Sequence, residues 1–365
     1  MNLIKIDKML SCKFTNMAFV CACLVVLIHV LVRPVRGSAL WWISGILGAD
    51  GIARVAVPFF FFAAGFFIAG KYEEELLVNW RKECLKRCKT LVLPYVFWNL
   101  TFLLSLLVAS VAFSALDLRF PIAICPHTTL GENLQAILGW NIFGNSAGTH
   151  LWFVRCLMLY ILISPALYRL ASSVRGKWLN LILFLIVGVS LVVLRCEFAE
   201  LYRFLRYRIS LEGLLYFYFG IGVRLSNICL SKHGGWMLMC GLFFSAVKVG
   251  SIYLDAGDWI GYLSGWLMMP CVMYGLFQLM PETKLLLGNI TRFSFSLYLI
   301  HPLVIYLIAG LISASGEVYK NSVMTESITF YFIRWWGVIF ITLAIAVAIR
   351  RLAPNMWKLM LGGRE

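Results

Sequence analysis

Charge is scarce in this chain, and acid most of all. Of 365 residues only 17 are Asp or Glu, against 32 Lys or Arg, and charged side chains make up 13% of the whole. A soluble domain needs more polar surface than that. With 61% hydrophobic residues, the chain reads as a polytopic helical membrane protein, because lipid accepts only backbone whose hydrogen bonds are closed internally. Paired CxxC sites are missing too. Cys21 and Cys23 share no helix face, and Cys84 and Cys88 stand one turn apart with no His nearby. None of the 11 cysteines therefore suggests a metal site. They read as small apolar packing residues, with Cys125 and Cys196 the one pair that topology puts outside together, where a disulfide is open to them. No linker divides the chain, so residues 1–365 are read as a single membrane-embedded domain. No internal repeat is evident, which counts against a transporter built from duplicated halves. No small-residue cleavage site follows the first apolar run, so that run reads as a retained span. The net charge of +15 would suggest nucleic acid in a soluble protein. Here positive-inside topology is the simpler explanation, and no nucleic-acid partner is expected.

What is present is a series of long apolar runs. The first, Phe14 to Val32, contains no Asp, Glu, Lys or Arg and supplies the roughly 20 residues a crossing requires. By that criterion ten spans lie at about 14–33, 46–70, 91–113, 150–171, 178–195, 209–225, 235–253, 259–279, 293–314 and 329–350. An even number puts both termini on one side. With that side cytoplasmic, the inner segments hold 20 of the 32 Lys and Arg. The outer segments hold fewer, though the arginine-rich stretch 195–208 runs against the trend. The expected fold is all-α: a multi-pass protein of the cytoplasmic (inner) membrane, with about ten transmembrane helices and cytoplasmic termini. The longest outer loop, about 114–149, carries Pro121, Pro126 and His127, and either covers a site or joins two spans.

Ionisable side chains within such spans need partners or water. His29 lies about fifteen residues into the first span, near its outer third at 1.5 Å per residue. Asp50 and Arg54 stand one turn apart on the same helix face near the outer end of the second span. His150 and Arg155 open the fourth, and Glu212 opens the sixth. Topology thus sets these six groups at one depth, as a shared water-filled cavity would. The plainer alternative is that Arg54 and Arg155 snorkel to the interface and His150 caps a helix. His301, which precedes Pro302, reads as a packing or hydrogen-bonding histidine beside carbonyls that the proline frees. On the inner side, WRKECLKRCKTLVLPY from Trp80 to Tyr95 places Arg81, Lys82, Lys86, Arg87 and Lys89 just before the third span. That run is either a topogenic loop against anionic membrane lipids or a seat for a phosphorylated ligand.

Five segments together resemble the membrane-bound acyltransferase-3 family, integral-membrane O-acyltransferases that decorate bacterial surface saccharides. They are LVVLIHV around His29, RVAVPFFFFAAGFFIAGKY from Arg54 to Tyr72, LKRCKTLVLPYVFW from Leu85 to Trp98, THLWFVRCLMLYILISPAL from Thr149 to Leu167, and FSFSLYLIHPL from Phe293 to Leu303. In order and spacing they span nearly the whole chain. The resemblance implies about ten spans, acyl-CoA (acetyl-CoA the expected form) as co-substrate with no permanently bound cofactor, and a saccharide or lipid-linked saccharide as acceptor. It maps an essential histidine onto His29, and it draws in Arg54, Arg87 with its basic neighbours, His150, Trp152, Arg155 and His301. Two positions depart from the family pattern. Ala18 stands where a basic residue commonly precedes the first-span histidine, and Ala64 stands where a serine is common.

On this basis His29 is expected to act as general base on the acceptor hydroxyl, with Arg54 or Arg155 at the oxyanion. Asp50 or Glu212 would orient the imidazole, and the Arg81-to-Lys89 cluster would seat the nucleotide. A covalent acyl-histidine is the open variant. Two other classes stay open. A transporter or flippase for a lipid-linked sugar would not consume acyl-CoA, and a non-catalytic partner of a polysaccharide assembly machine would tolerate loss of His29.

Overall fold

The computed structural model describes residues 6–30, 34–72, 75–115, 149–174, 177–226, 233–314 and 327–363. The first apolar run folds as one helix, α1 (Lys8–His29), opened by Asp7, whose carboxylate accepts from the Leu10 N–H at 2.7 Å. The helix ends on His29 itself. The second run is broken. α2 (Ala39–Leu47) stops at Gly48, a turn leads into a 3-10 segment (Ile52–Val55), and α3 (Ala56–Ala69) completes the crossing. Gly48, Asp50 and Gly51 are poor helix formers. The turn is also tight, for a Cβ on Gly51 would lie 1.7 Å from the Ile46 carbonyl oxygen. This corrects the expectation that Asp50 and Arg54 share a helix face: Asp50 sits in the turn and Arg54 in the 3-10 segment.

The inner basic stretch is helix, not loop. α4 (Leu76–Arg87) runs through a π-turn (Cys88–Val92) into α5 (Leu93–Ala115). Pro94 accounts for the widened turn, since it offers no N–H to the Thr90 carbonyl, and the Leu93 N–H reaches back to Cys88. A 3-10 turn (Thr149–Leu151) opens α6 (Trp152–Ser173). Then come α7 (Lys177–Glu197), the short α8 (Ala199–Arg208) and α9 (Leu211–Ser226). They are followed by α10 (Gly234–Leu254) and α11 (Asp258–Leu279). A 3-10 segment (Gly288–Phe293) leads into α12 (Ser294–Ala314), followed by α13 (Ile328–Leu352) and α14 (Pro354–Leu361).

Among the described residues there is no strand, and nine stretches are long and apolar enough to cross a membrane. The expected sixth span, α9, is only 16 residues long, but eleven of them are buried. It is surrounded by protein and does not need the length that lipid demands. The chain is an all-α, multi-pass membrane protein. Of the arginine-rich stretch that runs against the charge trend, Arg195 lies in the last turn of α7 and Arg203, Arg206 and Arg208 lie on the short α8.

Ile186 of α7, Phe243 of α10 and Phe340 of α13 are exposed, as side chains facing lipid tails are. Deeper in the bundle, Phe14 of α1 sits among Phe59, Phe66, Phe67 and Phe277, with ring centroids 4.8 to 6.0 Å away. The start of α1 is tied to the α11–α12 connection. Buried Asn16 donates to the Pro281 and Lys284 carbonyls at 3.0 Å and accepts from the Leu286 N–H at 2.9 Å. Lys13 pairs with Glu282, also at 2.9 Å. These contacts mark what we term the terminal face, which carries both ends of the described chain. On the opposite face Arg36 donates to the Ile252 and Tyr253 carbonyls, each at 2.8 Å. Cys196 is a free thiol. Cys125, its suggested partner, and the expected loop with Pro121, Pro126 and His127 lie outside the described residues.

Candidate active site

Thirteen residues separate Asn16, at the terminal face, from His29, which puts the imidazole about 20 Å into the bundle. His29 is half-buried. The ring beside it belongs to His301 of α12, with centroids 5.3 Å apart, and His150 lies 5.9 Å beyond His301. His301 reaches this level because the 3-10 segment adds six residues at about 2 Å each before α12 begins. Its Nδ1 lies 3.1 Å from the Leu297 carbonyl, an acceptor only, so Nδ1 carries the hydrogen and Nε2 presents a lone pair. The Nε2 atoms of both His301 and His150 are buried without a hydrogen-bond partner among the described residues. Around them, Tyr298 donates to the His150 carbonyl, and Phe102 packs edge-on to the His150 ring at 4.8 Å. Polar atoms left bare inside a bundle are costly, and here they belong to the two buried rings of a cluster whose third ring, His29, is only half-buried.

The other expected site residues form a separate, ionic group. Arg54 and Glu212 are electrostatic neighbours, and the Tyr202 hydroxyl donates to Glu212 Oε1 at 2.6 Å. Asp50 pairs with Lys248 at 3.5 Å, and the Lys248 ammonium also donates to the Asp50 carbonyl. Arg195 lies against this group, its guanidinium 3.7 Å from the centre of the Tyr262 ring. Both carboxylates are thus engaged by hydroxyl and cationic groups, while the ring next to His29 is another imidazole. The two groups adjoin through the 3-10 segment of Arg54, which packs against α1. Arg155 faces a third way, towards Tyr95 of α5 and its own neighbour Cys156. Trp152 is partly exposed, with its ring 6.2 Å from that of Phe61.

On the terminal face Arg81, Lys82, Lys86 and Lys89 are exposed along α4 and the π-turn. Arg87 has a structural task. Buried Glu83 takes Lys71 at 2.6 Å and Arg87 at 3.4 Å, clamping the end of α3 to α4. Burial draws the Lys71 ammonium below its ordinary range, opposed by its hydrogen bond to Glu83. Among the described residues no group of three or more His, Cys, Asp or Glu could hold a metal ion.

With this geometry in view, comparison with known families is decisive. A family model described as an acyltransferase domain matches residues 16–351. The chain belongs to that acyltransferase family. No curated protein and no solved structure matches it. The matched range of the acyltransferase includes all three histidines, Arg54, Glu212 and the basic face of α4. His301, a packing or hydrogen-bonding histidine by its residues and a candidate by the resemblance, makes the hydrogen bond to Leu297 and stands between the other two histidines. Lys248 joins the ionic group without having been a candidate, although a lysine in the middle of an apolar run is itself a signal. Tyr298 and Tyr202 gave no such signal, because tyrosines are common throughout apolar segments.

Proposed function

We propose that this acyltransferase moves an acyl group, most simply acetyl, from acyl-CoA to a hydroxyl of a cell-surface or lipid-linked saccharide. On this reading the protein lies in the cytoplasmic membrane with its terminal face inward. The observation that carries the proposal is His29: a half-buried imidazole, about 20 Å from the terminal face, backed by buried polar groups. An extended pantetheine arm spans about that distance. The acceptor hydroxyl arrives from the opposite side.

Neutral His29 takes the hydroxyl proton as the oxygen attacks the thioester carbonyl carbon. Collapse of the tetrahedral intermediate breaks the C–S bond, and the imidazolium returns the proton to the departing thiolate. General-base help of this kind contributes roughly 100- to 10,000-fold. Arg54 is the better placed oxyanion partner, since its 3-10 segment packs on α1 whereas Arg155 faces α5. His301 acts as a positioning residue behind His29. His301→Gln is expected to lower kcat by roughly 10- to 100-fold, the scale of a misplacement of about 1 Å, with KM for the donor nearly unchanged. A purely structural role would instead show as loss of folded protein at the same kcat per folded molecule.

The exposed lysines and Arg81 on α4 suit both anionic lipid and the donor's nucleotide. The whole reading is tested by incubating membranes that contain the protein with acetyl-CoA labelled in the acetyl group. Label is expected to pass into saccharide, with free CoA released in equal amount. A protein that moves lipid-linked sugar while consuming no acyl-CoA would be a transporter, and the proposal would fail.

A further inference from the structure

A cavity of about 240 Å³ opens on the terminal face, lined by none of the basic residues of α4. Its walls come from four elements: Asn289, Arg292 and Phe293 from the 3-10 segment, Ser296 from the first turn of α12, Arg350 from the last turn of α13, and Trp357 from α14. None of the described residues lining it is acidic. A basic residue in the last turn of α13 is accounted for by the helix dipole, but Arg292 comes from a different element and faces the same space. Both arginines are exposed and line this space, Arg350 with its guanidinium 5.4 Å from the centre of the Phe293 ring, and guanidinium groups with no carboxylate among the described lining residues suit phosphate oxygens.

The cavity shares a helix with the histidine cluster. Ser296, in its wall, lies five residues before His301 on the same helix, about 7.5 Å along the axis. α14, which supplies Trp357 to the cavity, and the glycine after it pack on α5 and the π-turn. The Trp98 indole donates to the Met360 carbonyl at 3.1 Å. Gly362, at φ +64, lies so near that a Cβ would stand 2.4 Å from the Lys89 carbonyl oxygen.

We infer that the phosphate-bearing end of the acyl donor sits in this cavity against Arg292 and Arg350. The inference rests on the donor reading above and shifts the phosphate seat from the α4 surface to the space lined by the 3-10 segment and the ends of α13 and α14. At about 240 Å³ the space falls below the roughly 300–1,000 Å³ of whole-ligand pockets, so it takes one end of an extended ligand. The remainder runs along α12 towards His301.

The test is equilibrium binding of CoA, which needs no turnover, to full-length protein in phosphatidylcholine nanodiscs. The double variant Arg292→Gln/Arg350→Gln is expected to bind CoA at least tenfold more weakly than the parent. Pantetheine, which lacks the nucleotide phosphates, should bind both alike, and Arg292→Lys/Arg350→Lys should stay within about threefold of the parent. Equal CoA affinity in parent and Gln variant would overturn the inference and leave the proposed reaction standing. A parent that binds no CoA and transfers no label would overturn both. A loss seen only in discs containing phosphatidylglycerol would reassign the arginines to lipid headgroups, which also overturns it.

Discussion

His29→Ala is expected to remove acyl transfer almost entirely while the protein still inserts and folds. The chemical half of that expectation follows from the proposed role of the ring. Without a base, the hydroxyl attacks with its proton in place, and a loss of 100- to 10,000-fold is the usual scale. The structural half follows from where His29 sits. It is the last residue of α1 and only half-buried. The contacts that hold α1 come earlier: Lys13 and Asn16 at the terminal face, Phe14 in its aromatic cluster, and the Cys23 carbonyl, which accepts from the Trp335 indole at 2.8 Å. Removing the imidazole therefore leaves the helix anchored.

The measurement is release of free CoA and transfer of labelled acetyl at matched amounts of folded protein, with His29→Gln alongside. Gln keeps much of the side-chain volume and a hydrogen-bonding group but cannot take up the proton, so it should be as inactive as Ala. A Gln variant with near-parental activity would make the ring a spacer, not a base. An Ala variant with near-parental transfer would remove His29 from the mechanism altogether.

The residues around that ring show what a sequence conveys about a membrane protein and where it stops. Long uncharged runs announce crossings because lipid requires them, so nine of the ten expected spans match stretches long enough to cross by themselves. α9 falls short for a reason that no run length reveals: it is enclosed by other helices. Counting residues along a span also gives depth, and His29 and His150 do come together. Depth says nothing about direction around a helix. Asp50, Arg54 and Glu212 were expected to share the histidines' cavity, yet Asp50 faces Lys248 and Glu212 faces Tyr202. Irregular segments disturb even the depth. The 3-10 turn before α12 lifts His301, and the break at Gly48–Gly51 takes Asp50 and Arg54 off a common helix face.

A second large effect is expected at Gly65, through packing alone. α3 and α9 cross backbone to backbone. A Cβ on Gly65 would lie 2.0 Å from the Phe217 carbonyl oxygen, and one on Gly220 would lie 2.1 Å from that of Phe62. The obstacle on each side is main chain, which cannot rotate away as a side chain can, and small residues are what permit such close approach within a membrane. Ordinary overpacking costs about 1–3 kcal/mol. Gly65→Leu adds a whole side chain where not even one carbon fits, so it should cost more than that and drive the pair apart. The consequences spread to the site, because α3 continues from the segment of Arg54 and α9 carries Glu212. Gly65→Leu is therefore expected to give no monodisperse peak in size-exclusion chromatography of detergent extracts. The control is Gly337→Leu in α13, where a Cβ meets nothing within 4 Å. There the same substitution should be harmless, since Leu is the better helix former by roughly 0.8 kcal/mol. If both variants run as the parent does, α3 and α9 are not in backbone contact, and the ionic group that depends on their crossing loses its basis.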